Sequence, residues 1–193
     1  MPLPEPLQQI ADDILSFLRG STQSSPYAVY VYEPDKEFAV RAEMQDLSAY
    51  LNAKRVDVAT ISLADLFWKA VDDSNFYETI VDAEISMPNN HDVLDDVHKS
   101  LREILNTSPT LAGRVLAELD TKPDNCAVIL HRAGALYPVF RTSALLDDLR
   151  ERLRRPVLLL YPGHVVDPYG LSFMSKCEPT HGYRAKIYQR SML

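Results

Sequence analysis

Glycine spacing in this chain argues against a familiar nucleotide-binding loop. Such loops place glycines close together, so that backbone N–H groups can approach phosphate oxygens. None of the six glycines forms G-x-G-x-x-G or precedes Lys-Ser or Lys-Thr; they are Gly20, Gly113, Gly134, Gly163, Gly170 and Gly182. The first predicted strand ends in Glu33-Pro34-Asp35, whose acids would repel a phosphate. The sequence therefore disfavours a nucleotide-dependent enzyme of the known kinds.

Histidine spacing gives no metal-binding signature, since no H-x-x-x-H, H-E-x-x-H or C-x-x-C pattern occurs. We therefore predict neither a metal nor a cofactor. A hydrolytic site stays open as an alternative: His131 and His164 each follow a predicted strand and could meet Ser143 and Asp167. However, no Gly-x-Ser-x-Gly turn is present to expose a nucleophile. Histidines that only make hydrogen bonds in loops are the simpler interpretation, and we predict no catalytic residue.

Arg141 has the clearest potential to bind a ligand. It begins a predicted helix, where the helix dipole already favours anions. Either Arg141 binds an anion there, or it pairs with Asp147 or a loop carbonyl. The preceding Tyr137-Pro138 would fix the loop that leads to it.

Two further groups of side chains could form interaction surfaces. Tyr161, Tyr183 and Tyr188 form either an exposed aromatic rim of the kind that protein partners use, or core positions with hydrated hydroxyls. Basic residues crowd at Arg150–Arg155, so an accessory protein that binds DNA is a second alternative.

Composition indicates one soluble globular domain, 1–193. The chain has 46% hydrophobic and 24% charged residues, and its net charge of −7 argues against broad, charge-driven binding to nucleic acid. Two cysteines, Cys126 and Cys177, do not make a disulfide framework. No apolar run approaches the roughly 20 residues that span a bilayer. The first residues, 1–6, do not read as a signal peptide, so we expect a cytoplasmic protein without a membrane partner.

The candidate residues are positioned by a predicted βαβ unit between Cys126 and Gly163. Residues 126–130 and 157–161 are unbroken apolar runs, which are typical of strands buried on both faces of a parallel sheet. Between them, leucines at helical spacing predict a crossover helix. The loops after both strands then lie at the carboxyl edge of the sheet, where α/β proteins place their binding sites.

Other segments extend this unit to about five strands. Strands are predicted at 27–32 and 56–61, with an edge strand at 183–188. Ser62 is a suitable N-cap for a helix that begins at Leu63. The pattern predicts an α/β fold: an open, mostly parallel sheet flanked by helices, as in a Rossmann-like three-layer architecture.

A helical insertion is predicted at 72–122. Residues 72–90 mix acids and aromatics and indicate no single element. Two amphipathic helices follow, and Ser108-Pro109 resembles the start of the second helix.

Three segments together resemble the BrxB family. They are residues 134–146, 156–163 and 183–188, whose order and spacing match that family. The motif positions carried over are Gly134, Tyr137, Pro138, Arg141, Tyr161, Pro162, Gly163, Tyr183 and Arg184. The resemblance extends more weakly to the first strand and helix. Residues 164–170 depart from the shorter, glycine-rich continuation of the family, which leaves a ligand role for that loop without support.

The resemblance implies a role in BREX, the bacteriophage exclusion systems of bacteria and archaea. Those systems include a PglZ-type protein of the alkaline-phosphatase superfamily, a BrxC-type ATPase and usually a PglX-type DNA methyltransferase. The expected function is that of a small, non-catalytic adaptor that contacts the PglZ-like and BrxC-like proteins. The alternatives are a sensor or enzyme that binds a nucleotide or anion at the carboxyl edge, and the DNA-binding accessory protein.

Overall fold

The structure, a computed structural model, describes residues 3–20, 26–86, 91–166 and 170–190, with Glu84, His91 and Asp92 described by their backbone alone. The strands are β1 (Tyr27–Tyr32), β2 (Val58–Ser62), β3 (Ala127–His131), β4 (Val157–Val166), β5 (Gly170–Phe173) and β6 (Lys186–Gln189). The helices are α1 (Glu5–Leu18), α2 (Glu37–Ala53), α3 (Leu63–Asp73), α4 (Tyr77–Ser86), α5 (His91–Asn106), α6 (Leu111–Leu119) and α7 (Thr142–Arg152). Short 3₁₀ turns cover Pro34–Lys36 and Ala133–Leu136.

Five of the described strands form a parallel sheet in the order β2-β3-β4-β1-β6. The sixth, β5, pairs antiparallel with the second half of β4. The parallel pairing of β3 with β4 across α7 confirms the predicted βαβ unit. The predicted α/β fold with a mostly parallel sheet is confirmed, with six strands instead of about five.

Helices cover both faces of the sheet because the chain reverses direction along it. From β1 the chain passes through α2 to the far strand β2, and then returns to β3 and β4. Crossovers between parallel strands are almost always right-handed, so opposite directions along the sheet place their helices on opposite faces. One core accordingly contains residues of α1 and α2, and the other contains residues of α3, α5, α6 and α7.

The unbroken apolar runs reflect this double covering. Along β4, Val157, Leu159 and Tyr161 belong to one core, whereas Leu158 and Leu160 belong to the other. Each fully buried leucine stabilises the fold by about 1.5–3 kcal/mol relative to exposure. A strand without any polar position is therefore stable only in the interior of a three-layer structure.

The second half of β4 was not predicted from the sequence. Pro162 and Gly163 usually interrupt strands, yet both are buried within β4. Gly163 pairs with Phe173 of β5, and a Cβ at Gly163 would overlap with the Ser172 carbonyl oxygen. Glycine at this position thus allows β5 to approach β4 closely enough to pair.

Residues 72–122 contain α4, α5 and α6. Helix α6 contacts α3, α7 and β2, so it belongs to one covering layer of the sheet. Its predicted start at Ser108-Pro109 was wrong, because Thr110 is the N-cap and its Oγ1 accepts a hydrogen bond from the Gly113 N–H at 3.1 Å. The Ser62 cap of α3 is confirmed by a 3.2 Å bond from the Asp65 N–H. Whether 72–122 is a separable insertion stays a prediction.

No helix among the described residues is long and apolar enough to cross a membrane.

We predict that Gly163→Ala destabilises the protein by at least about 2 kcal/mol, because the new methyl group would overlap with backbone of β5. The added Cβ would also lie 2.9 Å from Tyr161 Cε1. The free energy of unfolding is measured by urea denaturation followed by far-UV circular dichroism.

Gly113→Ala is the matched control. A Cβ there meets only ordinary contacts, the nearest being Thr110 Oγ1 at 3.4 Å. Since alanine favours the helix over glycine, this variant should gain about 0.5–1 kcal/mol. Equal stability of the two variants would show that β4 and β5 do not approach as described.

Candidate functional site

A cleft of about 630 Å³ opens at the carboxyl edge of the sheet. It lies between the start of α7, part of α5, the β4–β5 hairpin and the segment before β6. Among its lining residues are four of the motif positions, Pro138, Arg141, Tyr161 and Tyr183. The predicted loop after β3 contributes to the lining, whereas the predicted loop after β4, residues 162–170, contributes none of the described lining residues.

The start of α7 supplies the cleft with a cation. Arg141 is the N-cap residue, and its carbonyl oxygen accepts from the N–H groups of Ala144 and Leu145 at 3.1 and 3.4 Å. Its exposed side chain has no hydrogen bond or ion pair among the described residues. The predicted pairing with Asp147 is wrong, because that carboxylate accepts from Arg150 at 3.1 Å. The guanidinium of Arg141 is therefore available to solvent or to a ligand.

Aromatic packing forms the floor of the cleft. The Tyr161 ring lies 5.1 Å from that of Phe173 and 5.9 Å from that of Tyr183, measured between centroids. The Tyr183 hydroxyl lies 3.0 Å from Thr142 Oγ1, in hydrogen-bond contact. Burial raises the pKa of Tyr161, and the nearby Tyr183 hydroxyl raises it further. The Tyr161 phenol therefore stays protonated at neutral pH.

The three tyrosines that were candidates for one exposed rim do not form it. Tyr161 and Tyr188 are buried, and Tyr183 is half-buried. Tyr188 belongs to the core beneath α1 and α2, where its hydroxyl donates to Asp13. The other interpretation, core positions with hydrated hydroxyls, describes Tyr161 and Tyr188 better. The partners that the structure shows for the hydroxyls are protein groups.

Two further motif positions, Gly134 and Tyr137, lie where the loop after β3 packs against the β4–β5 pair. Gly134 lies in a 3₁₀ turn, where a Cβ would come within 3.3 Å of Met174 Sδ and 3.7 Å of Pro162 Cγ. Tyr137, joined to Pro138 by a cis peptide bond, places its ring 6.3 Å from that of Phe173.

Arg184, the last motif position, lies away from these contacts. Its carbonyl oxygen accepts from Arg150 Nη2 at 2.6 Å, while its side chain is exposed.

The hydrolytic arrangement is not assembled among the described residues. His164 is exposed, with Nδ1 3.1 Å from Ser175 Oγ, and Asp167 lies outside the described residues. His131 instead faces charges on α2 and α3, and burial is the main cause that lowers its pKa. No group of three or more His, Cys, Asp or Glu side chains that could hold a metal occurs in the described part of the chain.

A link between the ends of β2 and β3 was not predicted. Arg132 has a left-handed backbone with φ of 57°, and its Nη1 donates to Asp65 Oδ1 at 2.7 Å and to Ser62 Oγ at 3.3 Å. Sequence reasoning also missed Arg102 and Glu178 in the cleft. These two come from α5 and from the segment after β5, so no local pattern could have joined them to α7.

The basic run at 150–155 is partly engaged within the molecule. Arg150 donates to Asp147 and the Arg184 carbonyl, and Arg155 donates to Asp124 at 3.0 Å. Arg152 is exposed. The run therefore offers less free positive charge than its sequence suggests.

We predict that the protein loses stability as the pH rises from about 10 to 12. Burial raises the pKa of Tyr27 to about 12 and also raises the pKa values of Tyr30, Tyr32, Tyr161 and Tyr188. Folding thus favours the protonated phenols, and this contribution is complete below the unfolded pKa near 10 and is lost above it.

Absorbance at 295 nm, which reports phenolate, should show part of the tyrosines ionising only together with the loss of far-UV circular dichroism. Ionisation of all ten tyrosines near pH 10 in the folded protein would contradict the described burial.

Residues 59–187 match the protein family described as BREX protein BrxB. The matched range includes all nine motif positions and the whole carboxyl-edge cleft, and it begins within β2. No curated protein and no solved structure gives a significant match. The chain therefore belongs to the BrxB family, and it is a component of a BREX phage-defence system.

Proposed function

We propose that this chain is a non-catalytic adaptor of a BREX system that acts by protein–protein contact. Its partners in this proposal are a PglZ-like protein of the alkaline-phosphatase superfamily and a BrxC-like ATPase. The observation that carries the proposal is the packing of the motif side chains at the carboxyl edge. Tyr161 packs on Tyr183, and the rings of Tyr137 and Tyr161 both pack on Phe173 of β5, so these aromatic side chains serve internal packing.

The hairpin contacts support this interpretation of the motif. Gly163 admits β5, Phe173 of β5 packs on Tyr161, and Tyr183 joins that ring to Thr142 at the start of α7. The motif thus fixes the position of α7 and of the chain that leads to β6. Residues with this role maintain a rigid shape, and a rigid shape is what an adaptor presents to its partners.

Exposed apolar side chains support contact with other proteins. Trp68 is 53% exposed and Ile85 is 70% exposed. Aromatic and large aliphatic side chains dominate the centres of protein interfaces.

The test is co-purification of the tagged, full-length protein with the PglZ-like and BrxC-like proteins encoded beside it. We expect at least one of them to be retained through size-exclusion chromatography, and deletion of this chain to abolish phage restriction. Recovery of neither neighbour, together with intact restriction in the deletion strain, would refute the adaptor role.

An anion-binding sensor is the second candidate, and the free Arg141 guanidinium in the cleft favours it. Arg102 lines the same cleft, so two cations are near the start of α7. Bound ligand must raise the melting temperature by mass action. Stabilisation by millimolar ATP, GTP or inorganic phosphate that disappears in Arg141→Ala would support this candidate over a purely structural cleft.

If the chain is only an adaptor, we expect these ligands to leave the melting temperatures of the parent and of Arg141→Ala unchanged. Arg184→Ala is the matched control for loss of an exposed arginine, because its side chain lies outside the cleft lining. A DNA-binding accessory role stays a third hypothesis, which requires an affinity for DNA that falls steeply with salt.

A further inference from the structure

The negative charge of the chain is concentrated in one segment. Residues 63–106, which span α3 to α5, contain ten Asp and Glu against three Lys and Arg, a formal charge of −7. The rest of the chain has 17 residues of each sign and is therefore balanced. A field of one sign over one region steers association with a partner of opposite charge.

The exposed apolar side chains are concentrated in the same segment. Of the seven large hydrophobic residues that are exposed among those described, five lie between 63 and 106: Trp68, Phe76, Tyr77, Ile85 and Leu94. Apolar residues within an acidic region resist non-specific association, because the charges keep the surface hydrated. This combination is typical of a surface that receives one particular kind of partner.

Helix α4 presents the apolar stripe. Tyr77, Val81 and Ile85 are spaced four residues apart and so share one face of the helix. Tyr77 is 50% exposed, Ile85 is 70% exposed, and Val81 is half-buried. No described side chain of α4 is buried, although the helix contacts α5. The apolar face of α4 is thus only partly covered by its own chain.

Leu94 is an exposed apolar residue on the neighbouring helix α5. It is 43% exposed and lies one turn into that helix, which contacts α4. Because only four residues separate α4 from α5, Ile85 and Leu94 lie at the same end of the helix pair.

Unpaired acids border this stripe. Glu78 and Asp82 follow Tyr77 and Val81 by one residue each, so they form a parallel row along α4. Asp95 stands next to Leu94. These three carboxylates are exposed and have no ion-pair partner among the described residues. Their charge is available to an incoming cation without first breaking an internal contact.

We propose that Tyr77, Glu78, Val81, Asp82, Ile85 and Leu94, here called the α4 surface, dock a protein partner whose contacting surface is both apolar and cationic. The occupant inserts aliphatic or aromatic side chains against Tyr77 and Ile85, and its Lys or Arg residues pair with Glu78 and Asp82. A second copy of the chain does not fit, because a symmetric contact would bring two acidic segments together. Nucleic acid is repelled for the same reason.

This inference rests on the proposed adaptor function and deepens it by naming the surface. Its test uses the full-length protein and the purified PglZ-like and BrxC-like proteins, with affinities measured by bio-layer interferometry. Ile85→Glu should weaken binding by about tenfold or more, since it places a charge at the apolar centre. Glu78→Lys combined with Asp82→Lys should weaken it by a similar factor and reduce its dependence on salt.

Two control variants match these changes elsewhere on the surface. Phe38→Glu replaces a side chain that is 81% exposed on α2, and Glu118→Lys combined with Asp148→Lys reverses two exposed acids on α6 and α7. All variants should keep the circular dichroism spectrum of the parent, because substitutions at exposed positions change stability little. Binding by the controls should stay within about twofold of the parent.

The outcomes separate the two proposals. Loss of binding in both α4 variants but not in the controls establishes the α4 surface. Binding by the parent and by all variants alike overturns the α4 surface and leaves the adaptor function standing. Failure of the parent to bind either partner overturns the adaptor function, and the α4 surface with it.

Discussion

The close approach of β4 and β5 at Gly163 is the constraint on which the carboxyl edge depends. β4 begins in the middle of the parallel sheet, with side chains in both cores, and then leaves the sheet to pair with β5. That departure requires a residue without a side chain where the Ser172 carbonyl passes. Phe173 then reaches the Tyr161 ring, which in turn packs against Tyr183. The start of α7, the cleft and the path to β6 all follow from this contact.

By charge, the chain divides into a balanced body and an acidic flank, although helices α3 and α5 of the flank also contribute buried residues to the core. The sheet, α1, α2, α6 and α7 form the body, in which the family motif fixes the hairpin and the start of α7. The flank, α3 to α5, has the whole of the net charge and most of the exposed apolar side chains. A rigid body that holds a charged, partly apolar flank is a suitable design for an adaptor, because partner specificity can reside in the flank while the body keeps its shape.

The sequence predicted the layers and most of the sheet. Strands β1, β3 and the first half of β4 are unbroken apolar runs, and the leucines of α7 have helical spacing, so burial on two faces was visible in the pattern. β5 was missed because its four residues, 170–173, are too short to show a period. The extension of β4 was missed because Pro162 and Gly163 disfavour strands locally, and a tertiary contact overrides that preference.

The sequence predicted that a candidate site would lie at the carboxyl edge of the sheet, but it did not predict the contacts between the side chains there. The edge of the sheet and the position of Arg141 at the helix start follow from the order of elements. The partners of Tyr161 and the exposure of α4 depend on contacts between distant segments, and no local pattern encodes these. Residues 72–90 showed no clear period because α4 lacks a buried face, and the same feature makes α4 a candidate interface.

Hydrogen–deuterium exchange of the full-length protein, alone and bound to the BREX partner with which it co-purifies, tests most directly the claim that the adaptor docks its partner through the α4 surface. The account predicts that binding slows exchange at residues 77–86, where α4 is only partly covered, and leaves residues 136–145 beside the cleft unchanged. Slower exchange at 136–145 with no change at 77–86 would contradict it and would place the working surface at the carboxyl edge.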